Sequence, residues 1–488
     1  MKQLKIVALL LGASCTLFAL GPKYEKPDVA TPQQWQTPTP WHQSAPLDTL
    51  PKGEWWTLFG DAELNQYEQR AIASNQSLKA AISRLEESRA SARVTASGLY
   101  PELDAGVRAV RGRLSGNRVV NGAPISPVPV TQNEFSIPFT LNYEVDLFGR
   151  VRRSVEAANS VLQASAADLE NVRLLITADV AADYFQLREL DAEMAVVQRA
   201  IEFQQQGMDL VERRHQGGAS SGLEVAQQEV VLDSSKTQLS LLQQQRAQYQ
   251  HALALLQGLA PAQFVAPVRP LTDQPPAVPL ALPSELLQRR PDIAAMEREV
   301  AASNARIGLA KAALYPGVNL TGGGGVDSSS LTALLNAPSF FWSVGLAALE
   351  PLIAGGRNRA QLEFARSAYT ESVANYRETA LTAFQQVEDA LSGLNALSAA
   401  SGFQQKAVED AERSLQLANA RYTGGLVTYL DVITAQEQAL SNERLATQLL
   451  GQRLVTSVYL VKALGGGWDS ASLAAAKVKP TIKQAIQQ

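Results

Sequence analysis

The chain has 488 residues, with 43 basic and 47 acidic side chains and a net charge of −4. Hydrophobic residues make up 46% and charged residues 18%, which excludes a disordered chain and leaves no basic footprint for nucleic acid. One cysteine and three histidines without ligand spacing give neither a disulfide framework nor a metal or triad site, and no nucleophile elbow or phosphate loop occurs, so neither enzymatic activity nor a cofactor is expected.

The N-terminus, MKQLKIVALLLGASC, has a basic start at Lys2 and Lys5, an apolar run Ile6–Leu11 and small residues before Cys15. This is the layout of a secretory signal over 1–15, too short to span a bilayer as a helix. A sole cysteine at that place resembles a bacterial lipobox, although Gly12 stands where Leu is usual. Two readings follow: Cys15 is lipidated and becomes the mature N-terminus, or an ordinary signal is cleaved nearby. An extended segment follows over 16–60. No later stretch reaches the ~18 apolar residues of a membrane helix, so an exported chain either stays soluble or enters a membrane as a β-barrel.

A helix is expected over about 61–98, then strands over about 102–110 and 135–146. In FSIPFTLNYEV, Phe135, Ile137, Phe139, Leu141, Tyr143 and Val145 alternate, the period of a strand with one apolar face. Residues 111–134 between them are rich in Gly, Pro, Asn and Ser, as in a long loop. A long helix follows over about 150–215. Its stripe of Leu169, Val172, Ile176, Val180, Tyr184, Leu187, Leu190, Met194, Val197 and Ile201 covers 32 residues in nine steps, about 3.6 per step. Such a helix is roughly 98 Å long at 1.5 Å per residue, beyond any compact domain. A coiled-coil rod is the plain alternative to a tube.

The chain then repeats itself. Gly149-Arg150 returns as Gly356-Arg357, and Gly217-Gly218 as Gly424-Gly425, all 207 positions later. Tyr100-Pro101 returns as Tyr315-Pro316 at offset 215, so the first copy carries eight more residues in its strand-to-strand loop. The copies span 61–260 and 284–468, joined by a connector over 261–283 with seven prolines and followed by a tail over 469–488. The second copy is expected to have a helix near 291–313, strands near 317–326 and 339–350, and a long helix near 357–421. In FWSVGLA, Phe340, Trp342, Val344 and Leu346 alternate. Gly149 and Gly356 mark the turns from strand into long helix.

Four strands leave two unpaired edges, and about eight are needed to close a barrel, so a membrane-inserted form must be an oligomer. At the two tips, Gly217-Gly218 and Gly424-Gly425 can end a helix through a left-handed cap. Ser221 with Glu224, and Thr428 with Asp431, have the spacing of a capping box for the next helix.

GPKYEKP at 21–27, WWTLFGDAELNQYEQRAIASNQSL at 55–78, YEVDLFGRVRRSVEAA at 143–158, LLQRRPDIAAMER at 286–298, LYPGVNLTG at 314–322 and KALGGGW at 462–468 occur in one order over nearly the whole mature chain. In them the chain resembles the outer-membrane factor family, the TolC-like exit ducts of tripartite pumps, in its lipoprotein branch. The resemblance implies a mainly α fold with a small β part. A homotrimer would form an outer-membrane β-barrel with four strands per chain, continued by a long periplasmic α-helical barrel. It implies a lipid-anchored outer-membrane channel, working with a periplasmic adaptor (membrane fusion) protein and an inner-membrane RND-type transporter, that exports drugs, solvents or other small toxic compounds. An exit duct for type I protein secretion shares the architecture, and a periplasmic coiled-coil scaffold is the alternative from another class. The resemblance also assigns Asp431 to an acidic ring at the periplasmic mouth, with Thr434 where some relatives carry a second Asp. Arg421 and Tyr422 would hold the closed state. Gly217, Gly218, Glu224, Gly424 and Gly425 would form the tips that dock on the adaptor. Helix capping explains Asp431 without any transport role, and a solvated helix end does the same for Arg421.

Overall fold

The computed structural model describes residues 20–33, 35–36, 53–115, 119–120, 123–124, 130–271, 274–276, 278, 283–468, 470, 473 and 476–477. The signal segment and Cys15 lie outside the described residues, as does most of the tail.

Eight α-helices occur among them: α1 Ala62–Ser74, α2 Gln76–Ser97, α3 Arg150–Gln216, α4 Gly222–Leu256, α5 Pro283–Arg289, α6 Pro291–Ala312, α7 Arg357–Thr423 and α8 Tyr429–Ala463. The strands are β1 Glu102–Ala105, β2 Arg108–Leu114, β3 Val119–Val120, β4 Ala123–Pro124, β5 Val130–Glu144, β6 Gly317–Ser328 and β7 Phe340–Leu349. The unbroken 67-residue helices α3 and α7 are about 100 Å long. Ile176, Val180, Tyr184, Leu187, Leu190 and Val197 of the expected stripe are buried. Gly149 and Gly356 are the N-caps of α3 and α7, both at φ +81°.

Two expectations need correction. The single helix over 61–98 is two, α1 and α2, because Asn75 interrupts it. Its Oδ1 accepts from the Leu78 N–H at 3.0 Å, capping α2, while its Nδ2 donates to the Leu256 carbonyl at 2.8 Å at the end of α4. The first strand bends at Gly106–Val107 and resumes as β2, which pairs with β5 as far as Leu114↔Val130. Much of the expected 111–134 loop is therefore strand, because ladder hydrogen bonds outweigh the weak β-preference of its polar residues.

The sheet is antiparallel, in the order β1/β2, β5, β6, β7. Its register places Leu103 opposite Leu141, Tyr143 opposite Leu320, and Leu320 opposite Leu346. Phe135, Ile137, Phe139, Leu141 and Tyr143 thus share one face with Leu320, Val326, Phe340, Trp342, Val344 and Leu346. Thr140, Asn142, Asn319, Thr321 and Ser343 occupy the other. On β7 the apolar side chains are bare, with Trp342 at 73% exposure.

The helices form a wall in two tiers. Near the sheet the order is α2, α3, α6, α7; further away it is α4, α3, α8, α7. The tiers join where α4 meets α2 and where α8 meets α6. Both joints need glycine. At Gly258 (φ +70°) a Cβ would stand 2.5 Å from the Ser74 carbonyl oxygen, and at Gly465 (φ +90°) 2.1 Å from that of Arg289. At this level a belt covers one face of α3, with Trp55 and Trp56 at its core. Tyr184 donates to Asp61 at 2.6 Å, and Arg188 bridges Glu63 at 2.6 Å and Asp191 at 2.8 Å. None of the described helices is long and apolar enough to cross a membrane.

Candidate functional site: the paired hairpin tips

The α3–α4 and α7–α8 turns lie at the end of the wall remote from the sheet. In each, the second glycine is the left-handed residue, with Gly218 at φ +75° and Gly425 at φ +71°, whereas Gly217 and Gly424 stay near helical values. Ala219 N–H reaches the Arg214 carbonyl at 2.8 Å, and Leu426 N–H reaches that of Arg421 at 2.9 Å. Gly218 and Gly425 N–H groups go to His215 and Tyr422 at 2.9 and 3.0 Å, completing a Schellman motif in both copies.

The capping acids diverge. Asp431 accepts from the Thr428 backbone N–H at 2.9 Å and from its hydroxyl at 2.7 Å, the reach-back half of a capping box. These bonds hold its carboxyl below the usual aspartate range, with a smaller contribution from the Arg421 charge. Asp431 and Arg421 are both exposed. Glu224 instead turns sideways, accepting from Ser220 Oγ and, at 3.5 Å, from the Tyr422 hydroxyl of the other hairpin.

Tyr422 is buried in that seam. Its ring lies 5.0 Å from that of Tyr429, and the Arg214 guanidinium sits 4.9 Å over it. Burial, then the Glu224 charge, raises its pKa. Tyr429 donates to Gln228 Oε1 at 2.9 Å, and Gln228 Nε2 donates to the Gln204 carbonyl at 2.7 Å. Burial pushes the Tyr429 phenol up to about 12. A Cβ at Gly207 would stand 2.9 Å from the Tyr429 oxygen, so α3 has room for this side chain only as glycine. Val211, Val231, Val432 and Ile433 complete the apolar contact.

The structure therefore brings Tyr422 and Glu224 together and leaves Arg421 and Asp431 on the surface. Sequence reasoning missed Tyr429, Gln228, Arg214 and Gly207. The signal was in the repeat: Tyr422 and Tyr429 stand where the first copy has His215 and Gly222, so only the second tip carries the bulk that fills the seam. Among the described residues no group of three or more His, Cys, Asp or Glu is placed to hold a metal ion.

A second polar surface lies higher on the wall. The face of α3 opposite the belt carries Asp183, Gln186, Glu189 and Glu193, which line an open groove of about 560 Å³ with Gln448 and Gln452 of α8.

The outer membrane efflux protein family matches residues 68–259 and 282–466, one match per repeat. The pyoverdine export outer membrane protein OpmQ of Pseudomonas aeruginosa is 33% identical over 96% of this chain and 98% of its own length. The cation efflux system protein CusC of Escherichia coli is 30% identical over 96% of this chain and 100% of its own. Among solved structures, the outer-membrane channel OprN superposes with a TM-score of 0.85 at 26% identity, covering 92% of this chain and all of that one. The transmembrane channel CusC gives 0.81 at 29% identity, with the same coverage.

Proposed function

We infer the following from the premise that this chain belongs to the outer membrane efflux protein family. It is the outer-membrane channel of a tripartite efflux pump, a passive duct that releases small molecules outside the cell. We propose that three copies build the duct, each supplying a third of its wall. Three copies of the four-stranded sheet make a barrel of about twelve strands, well above the ~8 needed for closure.

One observation carries this reading: both the sheet and the helical wall end in open, apolar edges. β7 has a neighbour on one side only, and so do β1 and β2. In the wall, one lateral edge is α2 and α4, with Val94, Val230, Leu241 and Leu255 exposed; the other is α7, with Phe364, Leu381, Phe403 and Leu417 exposed. Edge-to-edge closure of copies covers both sets and satisfies the sheet's unpaired backbone groups. The apolar sheet face then meets lipid, and the uncovered face of α3 lines the lumen.

The tips close this tube at its periplasmic mouth. Tyr422 fastens the second hairpin to the first through Glu224, and Asp431 from each copy sets an acidic ring around the axis, near which Arg421 lies. The turns at Gly217-Gly218 and Gly424-Gly425, with Glu224, dock on a periplasmic adaptor, which couples the duct to an inner-membrane transporter of RND type. The pump selects the cargo; relatives named for pyoverdine export and for cation efflux each match 96% of this chain.

Lipidation of Cys15 fits the start of the chain. Leu20 N–H is bound to the Phe148 carbonyl at 3.1 Å, where the sheet gives way to α3. Cys15 precedes Leu20 by five residues, a reach of at most about 18 Å, so an acyl chain there enters the leaflet beside the barrel. The duct reading is tested by reconstituting the purified full-length protein in planar bilayers. Ion-conducting events from a homotrimer support it. A protein that stays out of the bilayer and passes no current refutes it.

A further inference from the structure

On the side of α3 away from the belt, the two hairpins of one chain meet along the seam between α3 and α8. At its centre stand Glu189 and Glu193 of α3, only 3% and 2% exposed. They share a single guanidinium. Arg444 of α8 reaches Glu193 Oε1 through Nη2 at 2.6 Å and Nε at 2.7 Å, and Gln448 adds an N–H at 3.2 Å. Glu189 accepts from Gln186 on its own helix and stands one helical turn from Glu193, along the same groove. Two carboxyl groups buried this close together are favoured when one of them keeps a proton. The helices also close tightly on Glu189. A Cβ at Gly451 of α8 would lie 2.4 Å from its Cγ and 2.7 Å from its Cβ.

We propose that the Glu189–Glu193 pair, wedged beneath Gly451 and answered by one arginine, is a proton-held latch between the two hairpins. With one proton retained, Glu189 is neutral and stays buried under Gly451 of α8, so the seam is shut. When that proton leaves to water in the adjoining groove, two carboxylates lie buried side by side on α3, and parting of α3 and α8 lets water solvate the second charge.

The other titratable and charged groups around Glu189 are consistent with this. Asp183 lines the same groove one and a half turns away, and Tyr249 of α4 faces it from the far side. Arg444 is the cation on the α8 side. Burial, then the charge of Glu193, raises the Glu189 pKa, and Arg444 offsets this only in part. A raised carboxyl pKa in the shut seam means that the shut state is favoured at low pH and loses its advantage as pH rises. For one proton the shut-to-parted ratio falls by up to about tenfold per pH unit per subunit.

The effect on transport rests on the duct reading above, so the test has two arms. Infrared difference spectra of the full-length protein in lipid are recorded between about pH 6 and about pH 9, a span chosen to bracket a raised carboxyl. The latch predicts a protonated-carboxyl band that alkali removes and that is missing from isosteric Glu189→Gln. Bilayer conductance of the wild type rises with pH, while that of Glu189→Gln stays low and flat. In Glu193→Gln, Glu189 has Arg444 to itself and its proton is lost at lower pH. A spectrum unchanged by Glu189→Gln overturns the proposal, as does a Glu189→Gln channel that keeps the wild-type pH profile. If the wild type passes no current at any pH, the duct reading fails, and the infrared arm still decides the latch.

Discussion

Tyr429→Phe isolates the tip fastening from everything else in the fold. The ring and its burial against Tyr422 remain; only the hydroxyl that donates to Gln228 at 2.9 Å is removed. Gln228 is fully buried and its amide nitrogen is already committed to the Gln204 carbonyl, so Oε1 is left without a donor. An orphaned buried acceptor costs about 1–3 kcal/mol. When the hairpins part, water reaches Gln228, so the cost falls on the closed tip alone. At about 1.4 kcal/mol per tenfold, the closed-to-open ratio falls by roughly fivefold to a hundredfold per subunit. The core around Trp55 and Tyr184 is remote from the tip, so the melting temperature changes little. Single-channel recording should show a larger open fraction, and brief trypsin treatment should cut faster at the exposed Arg213 and Arg421. Conductance and cleavage indistinguishable from wild type, in a trimeric and folded variant, would show that this bond does not fasten the gate.

Further outcomes follow from other parts of the wall. Asp431 has a depressed carboxyl pKa, so its contribution is present above the ordinary aspartate range and is lost as pH falls through the depressed value. Amide protection at 429–433, corrected for the intrinsic exchange rate, should fall on acidification through that range in the wild type, and in Asp431→Ala it should be low at every pH. Conductance of Asp431→Ala should also lose sensitivity to polyvalent cations; unchanged block would leave Asp431 a helix cap only. Trp342→Lys puts a charge on the lipid face of β7, at a cost of about 2–4 kcal/mol per subunit near the bilayer midplane, and should lower the folded fraction recovered in lipid. Phe403→Glu, at a 75% exposed site on the α7 edge, removes about 1.5–3 kcal/mol of expected interface burial per contact and should shift the trimer toward monomer on dilution.

Much of this architecture is legible in the residues because it is periodic. The apolar stripe of α3, the alternation in β5 and β7 and the 207-residue repeat each follow from one period read along one segment. The glycine pairs were legible as turns because a Schellman cap is local. What escaped is what joins segments. Tyr429 and Gln228 are 201 positions apart, and no local pattern says that these helices face each other. Asn75 escaped for a related reason: it caps two helices at once, one of which ends at Leu256. The acidic ring reading came from resemblance, and within one chain the hydrogen bonds to Asp431 among the described residues are those of a helix cap. Glu189 and Glu193 look like ordinary solvated acids until α8 is laid over them.

The central claim is that one chain is a third of a tube. Native mass spectrometry of the detergent-extracted complex, followed by bilayer recording of the same sample, tests it most directly. The account predicts a mass of three chains and a transmembrane current. A detergent-independent monomer that passes no current would contradict it.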